Sequence, residues 1–320
     1  MGRDETVVDL AKWASSHAGL DLDISSISPL MRDNDGMEVT DSADVLTVKS
    51  RARRAECIIL VSNAEYPVAV ADAVGRAQNV ADSLPQALRE NILLPLCADS
   101  FENRSFAIYP KLVPFSKNKF VCKFQKLTFE RVVYEWLSNV AKTTKAPIQD
   151  TVLLESRFVA PLKYVANESR LSEGLRADAD QALELLDQGE FAPVCIAEHG
   201  DFWLGNILLE GHWPLLKRSR HFAVIDWGAA NVCGYPFVDL LRFYESTSND
   251  MEKINRYTAR YCEISKIPVS DMVHYTLAAI GWLGLHRNQF PMERYIALSE
   301  GMAAISTRVR EYCQAQHIIS

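Results

Sequence analysis

No run of the chain is apolar for long enough to cross a bilayer. The longest, Met272 to Leu285, has 14 residues and contains a histidine, short of the roughly 18 that a spanning helix needs. The seven cysteines (57, 97, 122, 195, 233, 262 and 313) contain no C-x-x-C pair. An odd, scattered set fits neither a disulfide framework nor a zinc ribbon, and it points to a reducing, cytoplasmic compartment. Arg3, Asp4 and Glu5 stand where a signal peptide would be turning apolar, so no secretory leader is expected. Met1-Gly2 with Thr6 matches the bare myristoylation pattern, but charges directly after the glycine set it apart from a working site. Basic charge is not in excess: 34 Lys and Arg against 41 Asp and Glu give a net charge of −7, no footprint for a nucleic-acid backbone. Neither nucleic acid nor membrane is therefore expected as a partner. What remains is ordinary globular composition, 320 residues with 48% hydrophobic and 23% charged, room for about two domains.

The first 110 residues or so read as a small, mainly antiparallel sheet with one or two helices. Asp4 to His17 has near-helical apolar spacing. Polar, turn-rich sequence follows through Asp33-Asn34-Asp35-Gly36. Three short apolar runs, 45–48, 57–61 and 67–71, then have the spacing of an antiparallel meander. A helical patch, Val74 to Leu84, stops near Pro85, and strand-like runs at 92–96 and 106–109 flank a turn. Beyond Pro110 the texture changes. Phe129, Val132, Val133, Trp136, Leu137 and Val140 recur at helical spacing, another helix is expected over 179–186, and the chain from Ile254 onward is mostly helical, broken by Pro268 and Pro291. A β-rich domain over 1–112 and a helical domain over 113–320, joined by a hinge near Tyr109 to Pro114, follow from this reading.

Between the helical parts, residues 194–206 read V-C-I-A-E-H-G-D-F-W-L-G-N, and a hairpin-like stretch after them ends in I-D-W-G at 225–228. An aspartate, an asparagine and a second aspartate thus sit at two strand-ends. Phosphoryl transfer from a nucleotide needs a carboxylate to orient the attacking hydroxyl and accept its proton, and oxygen ligands for the magnesium that neutralises the phosphates. Asp201 suits the first role, Asn206 and Asp226 the second. Singly, Asp and Asn are common turn residues; the ordered set is less easily explained that way.

The H-G-D-x-x-x-x-N element and the downstream I-D-W-G resemble the aminoglycoside phosphotransferase and choline kinase superfamily, with D-W-G standing where kinases have D-F-G. The resemblance implies an α+β, bilobal protein-kinase-like fold, with a small antiparallel β-rich N-lobe and a larger, mainly helical C-lobe. It implies Asp201 as catalytic base, Asn206 and Asp226 as magnesium ligands, and His199 as a support for the loop's backbone. G-Y-P-F-V-D-L-L at 234–241, with Pro236 and Asp239, also resembles the family, and implies that Asp239 buttresses the catalytic loop. The expected activity is Mg2+-dependent transfer of the γ-phosphate of ATP or GTP to a hydroxyl of a small molecule.

The sequence departs from that pattern. In kinases a lysine on the third strand meets the phosphates and a helix glutamate holds it. The best match to V-A-I-K is Val68-Ala69-Val70-Ala71, which puts Ala71 at the lysine position and, by strand alternation, turns Ala69 and Ala71 towards the nucleotide. The helical patch after it has no glutamate. Lys49 and Arg76 are the candidate replacement cations, and the hinge backbone near Tyr109 the expected receiver of the adenine edge. Gly36 is the only glycine between residues 21 and 74, so no glycine-rich loop is evident. The alternative is a pseudokinase acting as a binding or regulatory module.

For the acceptor, eight Lys and Arg stand against six Asp and Glu from Met251 to Ser320. A site for a polycationic acceptor would gather carboxylates, so a neutral or anionic hydroxyl compound fits better. Trp282, His286, Arg287 and Tyr295 could line its pocket, although each singly reads as core or as a helix cap. Trp203 reads as packing beneath the catalytic loop, Cys195 and Cys233 as small hydrophobes, and His212, Lys217 to Arg220 and His221 as a solvated basic tip.

Overall fold

The computed structural model describes residues 5–17, 19–30, 43–51, 55–210, 222–247, 250–287 and 290–315. The expected turn at Asp33 to Gly36 and the basic tip at His212 to His221 lie outside these residues. The first elements are α1 (Glu5–His17), β1 (Leu22–Pro29), β2 (Ala43–Ser50), β3 (Ala55–Ser62), α2 (Ala69–Asp82), α3 (Gln86–Arg89), β4 (Cys97–Phe101), β5 (Arg104–Pro110) and β6 (Val113–Pro114). Next come α4 (Lys119–Thr144), β7 (Ala146–Pro147), α5 (Thr151–Leu154), a π-helical turn (Glu155–Val159), α6 (Ala160–Asn167), α7 (Glu173–Asp187) and β8 (Val194–Glu198). The chain continues through β9 (Ile207–Leu209), β10 (Phe222–Val224), β11 (Asn231–Gly234), α8 (Val238–Thr247), α9 (Met251–Ser265), α10 (Met272–Leu285) and α11 (Met292–Ala315). Two compact units result: Met1–Asp82 with Glu90–Pro114 and Ile207–Ala229, and Ser83–Arg89 with Phe115–Asn206 and Ala230–Ser320.

The first unit is built on an antiparallel sheet of order β1-β2-β3-β5-β4. Alternation along β3 buries Cys57, Ile59 and Val61 on one face, where Leu10, Ala11 and Ala14 of α1 and Phe106 and Ile108 of β5 complete the core. Trp13 sets its ring edge-on to Phe106 at 5.7 Å. Glu102 and Asn103, both at positive φ (47° and 63°), make the two-residue turn between β4 and β5.

Two expected strands are not strands. Residues 67–71 lead into α2, because the first N–H groups of that helix find hydroxyls elsewhere in the sheet: Val70 donates to Ser62 Oγ (3.0 Å) and Ala71 to Ser105 Oγ (3.1 Å). These distant caps satisfy donors that a helix start leaves open. Residues 92–96 make only a bridge, Ile92 to Val224, held by Val224 N–H to Asn91 O and Leu93 N–H to Val224 O. They brace the β9–β10 hairpin, whose register pairs Ile207 with Val224.

In the second unit the expected apolar spacing is buried as a helix: Phe129, Val133, Trp136, Leu137 and Val140 all lie in the core. Asn118 caps α4 by accepting the N–H groups of Phe120 and Val121. Leu240, Leu241 and Phe243 of α8, Ile254 and Tyr261 of α9 and Tyr275 and Leu277 of α10 fill the same interior. A Cβ at Gly281 would lie 2.0 Å from the Pro161 carbonyl oxygen, so glycine is what lets α10 close on α6. A small antiparallel sheet of order β11-β8-β7 carries the chain into the loop at His199. Among the described residues no helix is long and apolar enough to cross a membrane.

Candidate active site

The chain leaves β8 through His199, Gly200 and Asp201, and Asp239 near the start of α8 holds that exit. Its Oδ2 accepts the His199 N–H at 2.7 Å and its Oδ1 the Gly200 N–H at 3.0 Å. Gly200 has φ +80°, a conformation glycine adopts without a Cβ penalty. Asp239 is 7% exposed. Burial pushes its carboxyl above the ordinary value, while the two N–H bonds pull against that shift.

His199 is buried, and its Nδ1 accepts the Asp201 N–H at 3.2 Å, which leaves the proton of a neutral ring on Nε2. Its role here is to shape the loop. Phe202 is fully buried, stacked 5.8 Å from Trp136 and edge-on to Phe243 and His199. Phe202 therefore does the packing expected of Trp203, which is instead exposed and lays its indole over Gly205.

The Asp201 carboxylate is accessible at 41% and held on both oxygens. Arg242 Nη2 donates to Oδ1 at 2.6 Å, and Asn206 Nδ2 reaches Oδ2 at 3.5 Å while donating to the Asp201 carbonyl at 2.9 Å. This orientation commits the Asn206 NH2 group to Asp201 and turns Oδ1 the other way, a hard oxygen available as an acceptor. Arg242 escaped the sequence reading. Its spacing of three from Asp239 on α8 was the available signal, because it places both side chains on one helix face.

In the first unit, Asp226 follows β10 with φ +65°, a left-handed conformation that aspartate tolerates better than most residues. The turn is held on both sides of it: Trp227 Nε1 donates to Val224 O at 3.0 Å, and Arg76 of α2 donates from Nη1 to Gly228 O at 2.7 Å. Asp226 is exposed. Burial and the Asp226 charge together push the Tyr109 phenol up to about 12. Tyr109 itself lies inside β5, paired with Ile58. Lys49 lies in β2 across from Glu56. Ala69 is the first residue of α2, and its N–H bonds to Tyr66 O.

Among the described residues no three His, Cys, Asp or Glu side chains gather into a metal site. One carboxylate, one amide oxygen and the phosphates of a nucleotide are the donor set that magnesium accepts, since it keeps few protein ligands. Taken singly, the Asp226 side chain of the first unit is a carboxylate of that kind and the Asn206 side chain of the second an amide of that kind.

No family model matches the chain, and no curated protein matches it in sequence. Among solved structures it is similar to a candidate fructosamine-3-kinase of Haemophilus somnus, with a TM-score of 0.51 and 12% identity over 94% of this chain and 96% of that one. An ethanolamine kinase of Plasmodium vivax is similar at a TM-score of 0.47 and 13% identity, over 100% and 93% of the two chains.

The fold is protein-kinase-like. Within a kinase-like fold the third strand is β3 and the helix after it is α2, so the V-A-I-K match at 68–71 was one element too late. Ala71 sits on a helix, and alternation along a strand does not turn Ala69 or Ala71 anywhere. The absence itself survives the change of register. β3 reads A-E-C-I-I-L-V-S, without lysine, and α2 contains no glutamate. Arg76 now supplies the tie between α2 and the D-W-G turn.

Of the residues considered for an acceptor pocket, Tyr295 is fully buried with its hydroxyl on Ile280 O. His286 ends α10, donating its backbone N–H to Trp282 O and stacking on the Trp282 ring at 3.8 Å. Arg287 donates to Phe290 O. Trp282 is half-buried and carries the Arg157 guanidinium 4.1 Å from its centroid. The Cys195 and Cys233 sulfurs interact with one another, which lowers one thiol of the pair and raises the other.

Proposed function

We propose that the chain is a kinase that moves the γ-phosphoryl group of ATP or GTP to a hydroxyl of a small molecule. The loop geometry carries this reading: a backbone pinned by Asp239 presents an accessible Asp201 carboxylate, oriented by Arg242 and Asn206. In the proposed reaction Asp201 accepts the hydroxyl proton as the acceptor oxygen bonds to phosphorus and the nucleoside diphosphate departs. Asn206 and Asp226 are the proposed magnesium ligands. Bound magnesium would neutralise phosphate charge. The backbone leaving β5 after Tyr109 is the proposed contact for the base, and the acceptor is proposed to be neutral or anionic.

The experiment is transfer of labelled γ-phosphate from ATP and GTP across a panel of sugars, amino alcohols and phosphorylated or acidic alcohols. Asp201→Asn should lower the rate by about a thousandfold, the scale of a general base, while changing stability by less than about 1 kcal/mol, the scale of an accessible ion pair. Undiminished transfer by that variant would remove Asp201 from the chemistry.

A second reading, a pseudokinase that no longer holds nucleotide and acts as a binding or regulatory module, is favoured by one observation: β3 has no lysine and α2 no glutamate. Thermal shifts with ATP, GTP and magnesium separate the two, since a nucleotide that binds only the folded state must raise the midpoint.

A further inference from the structure

The first turns of α4 expose an apolar stripe that no part of the second unit covers in the described structure. Phe120 is 86%, Leu127 65% and Phe124 44% exposed, and their spacing of four and three places them in line along one side of the helix. From Phe129 onward the apolar face of the same helix is buried, at Phe129, Val133, Trp136, Leu137 and Val140. Single exposed apolar residues are ordinary, but an aligned set marks a surface that meets something.

The charge beside the stripe says what. Lys119 and Lys123, both exposed, follow the same spacing of four. Lys126 continues the row, with its ammonium near Thr247 O at 3.5 Å. From Phe115 to Phe129 there is no Asp or Glu, and Lys117 adds a fourth lysine, in a chain whose net charge is −7. The overall acidity hides this local patch, and a search for spanning segments cannot find it, because a helix that lies on a membrane needs an apolar side and a basic side rather than length.

We propose that this end of α4 docks on an anionic phospholipid surface, with Phe120, Phe124 and Leu127 entering the headgroup boundary and Lys119 and Lys123 meeting lipid phosphates. Size favours lipid over protein. Three side chains of about 150–250 Å² each, none fully exposed, fall short of the roughly 800 Å² per partner that a stable protein interface or second copy requires. A lipid surface has no such threshold, because apolar burial and lysine attraction add residue by residue. The inference does not depend on the kinase reading.

The test is co-sedimentation of the whole chain with phosphatidylcholine vesicles, with and without phosphatidylglycerol, at low and high salt. Binding should require phosphatidylglycerol and weaken with salt as screening shortens. Phe120→Ser with Phe124→Ser, and separately Lys119→Glu with Lys123→Glu, should each lower partitioning by about tenfold or more. Both pairs should keep the wild-type unfolding midpoint, since the side chains are exposed and acidic residues suit a helix N-terminus. The proposal is overturned by absence of binding, by equal binding to neutral vesicles, or by both variant pairs binding as wild type. Concentration-dependent self-association without lipid, abolished by the phenylalanine changes, would instead assign the stripe to a second copy and equally overturn it.

Discussion

Glu198 ends β8 directly before the loop at His199–Asn206, and its replacement by glutamine should change how stability depends on pH. The side chain is buried, and its Oε2 accepts the Tyr235 N–H at 2.9 Å. Burial first, then the charge of Asp239, push its carboxyl from the ordinary 4.5 up to about 8, against the pull of Arg157. The folded state therefore holds this proton more tightly than the unfolded chain does. Its contribution to stability is fully present below the ordinary value and is lost as the pH climbs through the window from about 4.5 to about 8. One proton's difference sets the steepest slope, about 1.4 kcal/mol per pH unit. Glu198→Gln removes the titration and keeps an oxygen for Tyr235. Urea unfolding of both proteins at several pH values across that window, followed by tryptophan emission, gives the comparison. The stability of the variant relative to wild type should rise with pH by up to that slope and level off above it. Parallel stability curves for the two proteins would refute the argument, because they would mean that Glu198 binds its proton equally in both states.

Two further changes probe the scaffold. Asp239→Asn keeps the size of the side chain but turns an NH2 group towards one of the two backbone donors at His199 and Gly200. It should cost about 2–4 kcal/mol, the range for losing a charged acceptor and stranding a buried donor, with a shift in urea midpoint as the measure and an unchanged midpoint as the contrary result. Ser62→Ala removes the hydroxyl that accepts Val70 N–H and meets Ser105 Oγ at 2.6 Å. A loss of about 1–2 kcal/mol is expected for a helix cap; hydrogen exchange at Val70 should accelerate with it, and unaltered protection there would show that the cap is dispensable.

Elements whose signals are local were legible in advance. The spacing from Phe129 to Val140 is one side of a helix whatever surrounds it, and α4 buries those positions except Val132, which is half-buried. The H-G-D-x-x-x-x-N order carries its own geometry, because five residues are enough for the Asn206 amide to turn back onto Asp201. The start of α2 had no local signal. Val68 to Ala71 is strand-like in composition, and its helical beginning depends on the hydroxyls of Ser62 and Ser105, one of them 34 residues further along. Residues 92–96 differ from that expectation for a related reason, since the bonds at Asn91 and Leu93 go to β10, more than a hundred residues away.

The amino-acid order alone determined which chemical groups this protein brings to its loops, and where its longest amphipathic helices lie, because both depend on neighbours a few residues apart. Only tertiary structure decided which of two adjacent aromatics, Phe202 or Trp203, is buried. It also decided that Arg242 faces Asp201 and that the first turns of α4 lie bare. Burial and pairing are properties of what packs against a residue, and that packing is assembled from distant parts of the chain.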